Sequence, residues 1–397
     1  MRQVYLKTEG FQTFLQCPAA GRPQGNELYN KTDLYYFSYE EIKEFLGKGK
    51  VIINKEYPED CMSAPLQFQL AITEACNFNC INCYDSEAHH KAKSNKELNI
   101  KQKKQLIDYL HKWGVLLFQW SGGEPILSKD LTEVVEYANE KMFVQSLLTN
   151  GSKLAKEGVA RWVAKNFARV QVSLSAIDDF KKWAGVNKLE MLVRGLKETR
   201  QYCVRYKSSL NITTTVNEIS VAELDKIAFW VNEINPTHWR IGEEVPLGKA
   251  ERNSRHIKIL EDSYEIFMKL KKQYRKKNWH HCFEIEEADT IFPIEWQSSP
   301  AGRTMLYMSA SGEIYPFPYL KMPEFLLGKF PEDDIKDIWF NSPILKELRS
   351  VKYNDTDCKK CKNICVRWAR EISYHFNKKL TETPSSFTNC PRKEVGI

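Results

Sequence analysis

Cysteine carries most of the chemistry that can be read from this chain. Eleven cysteines occur in 397 residues, and seven fall into two clusters. The first is Cys76, Cys80 and Cys83, a C-x3-C-x2-C spacing just after a run rich in β-formers. Three thiolates are one short of a closed structural zinc site and one short of a fully ligated 4Fe–4S cube. A cube on three cysteines leaves one iron open to an outside chelating ligand, whereas zinc would borrow a distant fourth ligand. The second cluster is Cys358-x2-Cys361-x3-Cys365, with Cys390 after 24 intervening residues. Four thiolates close a 4Fe–4S cluster or an all-cysteine zinc site equally well. Cys17, Cys61, Cys203 and Cys282 stand alone and read as reduced, partly buried thiols. Cys282, where the barrel gives way to the C-terminal part, reads first as an inert thiol, with hydrogen donation to a substrate radical as the other reading; the neighbouring His280 and His281 read as an exposed pair at a helix end rather than metal ligands.

The elements that must position these residues follow from periodicity. Predicted strands are Leu66–Ile72, Val115–Trp120, Phe143–Thr149, Val170–Ser175, Leu210–Val216 and His238–Gly242. Helical spacing of apolar residues fills the gaps near 100–113, 129–141, 152–166, 189–206 and 220–234. Six strands alternating with helices imply a parallel sheet with right-handed crossovers, open or curled toward a barrel. In either form ligands collect at the C-terminal ends of the strands, where the first cysteine cluster lies. Residues 1–65 break the rhythm: a Gly-, Pro- and Asn-rich loop over 18–30, a short helix near Tyr39–Phe45 and a strand near Val51–Asn54 read as an N-terminal appendage. A long helix over 254–278 ends in lysines, read as a solvated face. From 281 onward the pattern turns to short strands and a cysteine-rich tail. The expected division is 1–65, 66–280 and 281–397.

With its strand-end companions, the first cluster resembles the signature of the radical S-adenosylmethionine (radical SAM) superfamily. Ser121-Gly122-Gly123-Glu124-Pro125 follows the second strand as that family's GGEP motif does. Thr149-Asn150-Gly151 ends the third strand and resembles its T-N-G, and Ser173 ends the fourth. Relatives often have S-x-D-G there; this chain has Ser175 and Ala176. Asn82 likewise stands where an aromatic residue is frequent. The resemblance implies a partial (β/α)6 TIM-like barrel, an α/β fold. Cys76, Cys80 and Cys83 would hold a SAM-bound 4Fe–4S cluster, with Gly122, Gly123, Glu124, Pro125, Asn150 and Ser173 around SAM. The Glu124 carboxylate would accept a hydrogen bond from the SAM ammonium. The reduced cluster would cleave SAM to a 5′-deoxyadenosyl radical.

The C-terminal part resembles the SPASM extension of radical SAM peptide maturases: a hairpin reaching Tyr315-Pro316-Phe317, then Leu327-Gly328, Ile338-Trp339 and the cysteine run. Full SPASM domains hold two auxiliary clusters. Here Ser298 or Ser299 and Phe317 stand where cysteines of the first would be. The resemblance therefore implies one auxiliary 4Fe–4S cluster, on Cys358, Cys361, Cys365 and Cys390, with zinc as the other candidate occupant.

Composition bounds the rest. At 42% hydrophobic and 27% charged residues the chain is neither disordered nor a small disulfide scaffold. No apolar run approaches the roughly 20 residues of a membrane span, and no secretory signal is visible. A cytoplasmic protein without a membrane partner is expected. The net charge of +7 is too mild to indicate nucleic acid. The leading expectation is an oxidoreductase-type enzyme acting on a ribosomally made peptide, reduced by a flavodoxin or ferredoxin. Residues 1–65 are short for a winged-helix leader-binding domain, which leaves leader recognition to a separate protein. A tetrapyrrole-modifying enzyme of haem or haem d1 synthesis and a non-catalytic scaffold are the competing readings.

Overall fold

The computed structural model describes residues 61–86, 96–245, 247–250, 256–282 and 300–350, together with the backbone of four N-terminal strands. Those strands are β1 (Tyr5–Glu9), β2 (Gln12–Gln16), β3 (Tyr35–Phe37) and β4 (Lys50–Ile53). They form a sheet of order β3-β2-β1-β4, antiparallel except where β1 meets β4. Only β4 was expected from sequence. The predicted helix near Tyr39–Phe45, Ser298, Ser299 and the tail cysteines lie outside the described residues.

The six predicted strands are all present, as β5 (Gln67–Thr73), β6 (Leu117–Gly122), β7 (Val144–Thr149), β8 (Arg169–Ser173), β9 (Ser209–Val216) and β10 (His238–Glu243). They pair in parallel in sequence order. The structure extends this sheet at both edges. β11 (Trp279–His281) adds a parallel strand beside β10, so the expected helix over 254–278 stops at Gln273. On the other edge β12 (Met305–Met308) runs parallel to β5, then β13 (Glu313–Tyr315) and β14 (Gly328–Lys329) turn back antiparallel. The C-terminal hairpin is thereby built directly onto the strand that feeds the cysteine loop.

Strand alternation explains how the sheet takes two environments. Phe118, Trp120, Phe143 and Gln145 face the helices: Phe143 meets His111 of the first barrel helix, and Gln145 donates to the Val135 carbonyl at 3.0 Å. The opposite face is polar. Gln67 bonds Gln119 at 2.8 Å and Gln69 bonds Ser121 at 2.9 Å across β5 and β6. Burial of the aromatic face supplies the driving force, and the paired amides satisfy the polar one.

The helices are α1 (Ile100–Trp113), α2 (Leu131–Glu140), α3 (Val159–Asn166), α4 (Phe180–Ala184), α5 (Leu189–Tyr206), α6 (Glu218–Ala222), α7 (Leu224–Ile234) and α8 (His256–Gln273). α1 begins with a reciprocal Asn99/Gln102 capping box and buries Leu106, Ile107 and Leu110. The predicted helix over 220–234 is broken at Glu223, whose carboxylate accepts the backbone N–H groups of Ile177, Asp178 and Asp179 at 2.5, 3.1 and 2.8 Å. That break anchors the segment after β8, which in turn supports the cysteine loop.

Candidate active site

The thiol loop leaves β5 at Thr73, and its entry is tied down by Glu97. Glu97 Oε1 accepts both the Thr73 hydroxyl at 2.8 Å and the Glu74 N–H at 2.9 Å. Further along, the loop pairs with the segment after β8: Asn79 N–H donates to the Ala184 carbonyl and Ile81 N–H to that of Trp183, both at 2.9 Å. The Trp183 indole donates to Asn82 Oδ1 at 3.1 Å, which gives that residue a local role. Phe78 is buried edge-on to Phe180. Gly122 and Gly123 press on the start of the loop. A Cβ on either would run into the carbonyl oxygen of Thr73 or Ala75, and Gly122 also has φ +129°. Only glycine permits this approach. Gly248 (φ +59°) does the same from the far side, against the Cys83 and Tyr84 carbonyls.

Asn150 and Glu124 meet beside the thiol loop. Asn150, at the end of β7, donates through Nδ2 to Asn77 Oδ1 at 3.0 Å and lies 3.8 Å from Cys76 Sγ. Ser152 braces Asn77 at 2.9 Å. Ser173 ends β8 exposed, while Ser175 is buried and accepts the Thr215 N–H at 2.9 Å. Pro125, itself buried, opens a 3-10 turn over Pro125–Leu127. Glu124 is fully buried, and its carboxylate accepts from the Thr149 hydroxyl and the Asn150 N–H at 2.7 Å and from the Ile126 N–H at 3.2 Å. These bonds tie the carboxylate to the ends of β6 and β7. Burial pushes its carboxyl up to about 7, against those three hydrogen bonds.

Burial also raises the three thiols, Cys80 to about 12 and Cys83 to about 11, with Cys76 raised as well. Their thiolates would repel one another, since Cys80 feels Cys83 and Cys76. Thiolates in such a place call for a metal-bound partner charge. Among the described residues no trio of His, Cys, Asp or Glu converges tightly enough for a single ion. Three thiols on one loop, each disfavoured as a thiolate by burial, suit a cluster that offers each sulfur its own iron. The residues therefore fit a three-cysteine 4Fe–4S site.

Several neighbours of the loop carry no sequence signal. Lys249 reaches Asn79 Oδ1, and its N–H donates to the Cys83 carbonyl at 3.1 Å. Lys321 contacts Glu74 and Asp85 from the C-terminal hairpin. These lie far from the cysteines in sequence, and only the fold brings them close. Phe317 is buried against Tyr319. His281, expected exposed, is only 1% exposed and its Nε2 lies 3.0 Å from Ser263 Oγ; the strand β11 turns it under α8. Cys282 Sγ lies 3.7 Å from His281 Nδ1.

A parallel α/β sheet with a three-thiol loop and a GGEP turn at adjacent strand ends is the arrangement that the resemblance to radical SAM enzymes implied. Residues 70–231 match the model of the radical SAM superfamily. Mycofactocin maturase MftC of Mycobacterium tuberculosis is 24% identical over 298 residues, covering 72% of this chain and 73% of that protein. The AdoMet-dependent heme synthase of Methanosarcina barkeri is 24% identical over 328 residues, covering 77% of this chain and 91% of that protein. In fold, the chain resembles Streptococcus suis SuiB bound to precursor peptide SuiA, with TM-score 0.71 at 14% identity over 97% of this chain and 99% of that one. SuiB has also been solved with S-adenosylmethionine, at TM-score 0.68. A radical SAM fold implies SAM and a 4Fe–4S cluster as cofactors.

Proposed function

We propose that this protein modifies a ribosomally made peptide by radical SAM chemistry, through a crosslink, thioether, epimerisation or cleavage. The carrying observation is the convergence of Cys76, Cys80 and Cys83 with Asn150 and the Gly122-Gly123-Glu124 turn at adjacent strand ends. Cluster and SAM bound there would supply a 5′-deoxyadenosyl radical for hydrogen abstraction. In this reading the three cysteines hold irons, and Gly122 and Gly123 let backbone reach the ligand. Asn150 orients the loop at Cys76, Ser173 offers a hydroxyl to SAM, and Glu124 with Pro125 keeps the turn in shape. The barrel walls exclude water and stray hydrogen donors.

A peptide substrate is favoured by the maturase among the sequence relatives and by the fold shared with SuiB, which was solved with a precursor peptide. We assign a single auxiliary cluster to Cys358, Cys361, Cys365 and Cys390, with zinc as the alternative occupant. A flavodoxin or ferredoxin would supply the electron, and a separate protein would recognise the leader. The units 1–65, 66–280 and 281–397 would then serve as appendage, radical domain and auxiliary-cluster domain. Cytoplasmic residence is consistent with the finding that no described helix is long and apolar enough to cross a membrane.

The heme synthase relative keeps tetrapyrrole modification as the second reading. One experiment separates the readings: anaerobic reconstituted protein with SAM, dithionite and either a precursor peptide or a porphyrin. Production of 5′-deoxyadenosine with a peptide mass change supports the proposal. The same product with porphyrin conversion and an unchanged peptide replaces it. No SAM turnover, together with full cellular function of Cys80→Ala, would revive the scaffold reading.

A further inference from the structure

The two ends of the thiol loop carry carboxylates. Glu74 stands two residues before Cys76 and Asp85 two residues after Cys83. Both are held by one cation from a distant part of the chain. Lys321 Nζ lies 2.9 and 3.2 Å from the two Asp85 oxygens and 3.2 Å from Glu74 Oε1. The side chains are largely buried, at 16% exposure for Lys321, 7% for Glu74 and 14% for Asp85. The turn that delivers Lys321 is itself fastened to the loop: Tyr319 packs edge-on to Tyr84 at 5.2 Å and to Phe317 at 5.3 Å.

Charges buried this way are screened little by salt. Two carboxylates beside an anionic cluster oppose its gaining an electron, and the ammonium offsets one of them. Burial works against the charge on Lys321, but Asp85 and Glu74 more than compensate, so the ammonium is held charged.

We propose that Lys321 is a positioning residue for the SAM-cleaving cluster, closing both ends of the thiol loop and setting the local charge at which the cluster is reduced. The inference rests on Cys76, Cys80 and Cys83 being iron ligands. It makes the C-terminal hairpin part of the radical machinery: the segment beside Phe317 tunes the first cluster by a buried ion triad.

The test is an EPR-monitored dithionite titration at pH 8.5 of four reconstituted proteins: parent, K321R, K321M and K321M/D85N, with iron content measured for each. The signal followed is the one that SAM perturbs. K321M should keep its iron and show a reduction equilibrium constant about tenfold lower, equivalent to about 59 mV for one electron. K321R should stay within about twofold, and K321M/D85N should return toward the parent because the net charge is restored. K321M at the parent potential with its iron intact overturns the inference, as does a double variant no closer to the parent than K321M. If K321M loses iron, the double variant decides: iron and potential regained support the charge role, and iron lost again overturns it. A parent that takes up no iron at the three cysteines overturns the site reading, and this inference with it.

Discussion

The Asn150 backbone N–H donates to Glu124 Oε2 at 2.7 Å, joining residues 26 positions apart at the ends of β6 and β7. The same Asn150 reaches Cys76 through its side chain. One residue therefore connects the GGEP turn to the thiol loop, with a fully buried carboxylate as the anchor.

Removing that anchor should loosen the site. Glu124→Ala leaves the Thr149 hydroxyl and the Asn150 and Ile126 N–H groups without their acceptor in a dry environment. Unsatisfied buried donors cost about 1–3 kcal/mol each before relaxation. Urea unfolding of the metal-free protein should show a loss of at least about 2 kcal/mol, and SAM cleavage should fall by more than about tenfold. Unchanged stability would mean that water replaces the carboxylate.

The same residue makes stability depend on pH. Burial raises the Glu124 and Glu244 carboxyls to about 7. Each folded value lies above the unfolded one, so the stabilising contribution is complete below about pH 4.5 and is lost as pH rises through about 7. For Glu124 the shift corresponds to about 3 kcal/mol. Melting temperatures of metal-free protein should decline over that window. Glu124→Gln should flatten part of the decline and be relatively more stable at pH 8, because a neutral amide keeps an acceptor for Asn150.

Gly123→Ala tests the close approach. Its new Cβ would lie 2.4 Å from the Ala75 carbonyl oxygen, well inside van der Waals contact, and backbone cannot swing aside as a side chain can. Iron uptake by the thiol loop should fall sharply while far-UV circular dichroism of the barrel is retained. Full iron uptake would show that the loop has room to retreat.

Metal content separates the two cysteine clusters. The reconstituted parent should hold about eight irons, and the Cys76/Cys80/Cys83 triple alanine variant about four. About four irons and one zinc in the parent would make the tail a structural clamp.

Legibility differed sharply between elements. The β5–β10 strands and most of the barrel helices were visible because a half-buried parallel sheet repeats one pattern of apolar runs and amphipathic segments. The neighbourhood of Cys76, Glu124 and Asn150 was legible because these residues stand near strand ends in sequence. β11 was hidden because three residues, Trp279–His281, are too few to show a period. The pairing of β12 with β5 joins segments more than 230 positions apart, which no local pattern encodes.

The amino-acid sequence by itself determined three thiols at fixed spacing on a strand-end loop, a glycine pair after the second strand, and the order of the barrel elements. Those are local properties of residue type and periodicity. The tertiary structure decided how those groups are held. Glu124 turned inward because three backbone and hydroxyl donors surround it. His281 went under α8 because β11 takes it there. Lys321 came to Glu74 and Asp85 because the C-terminal hairpin is stitched to β5. Such contacts depend on which distant surfaces meet, and burial then fixes the charge and hydrogen bonding of each group.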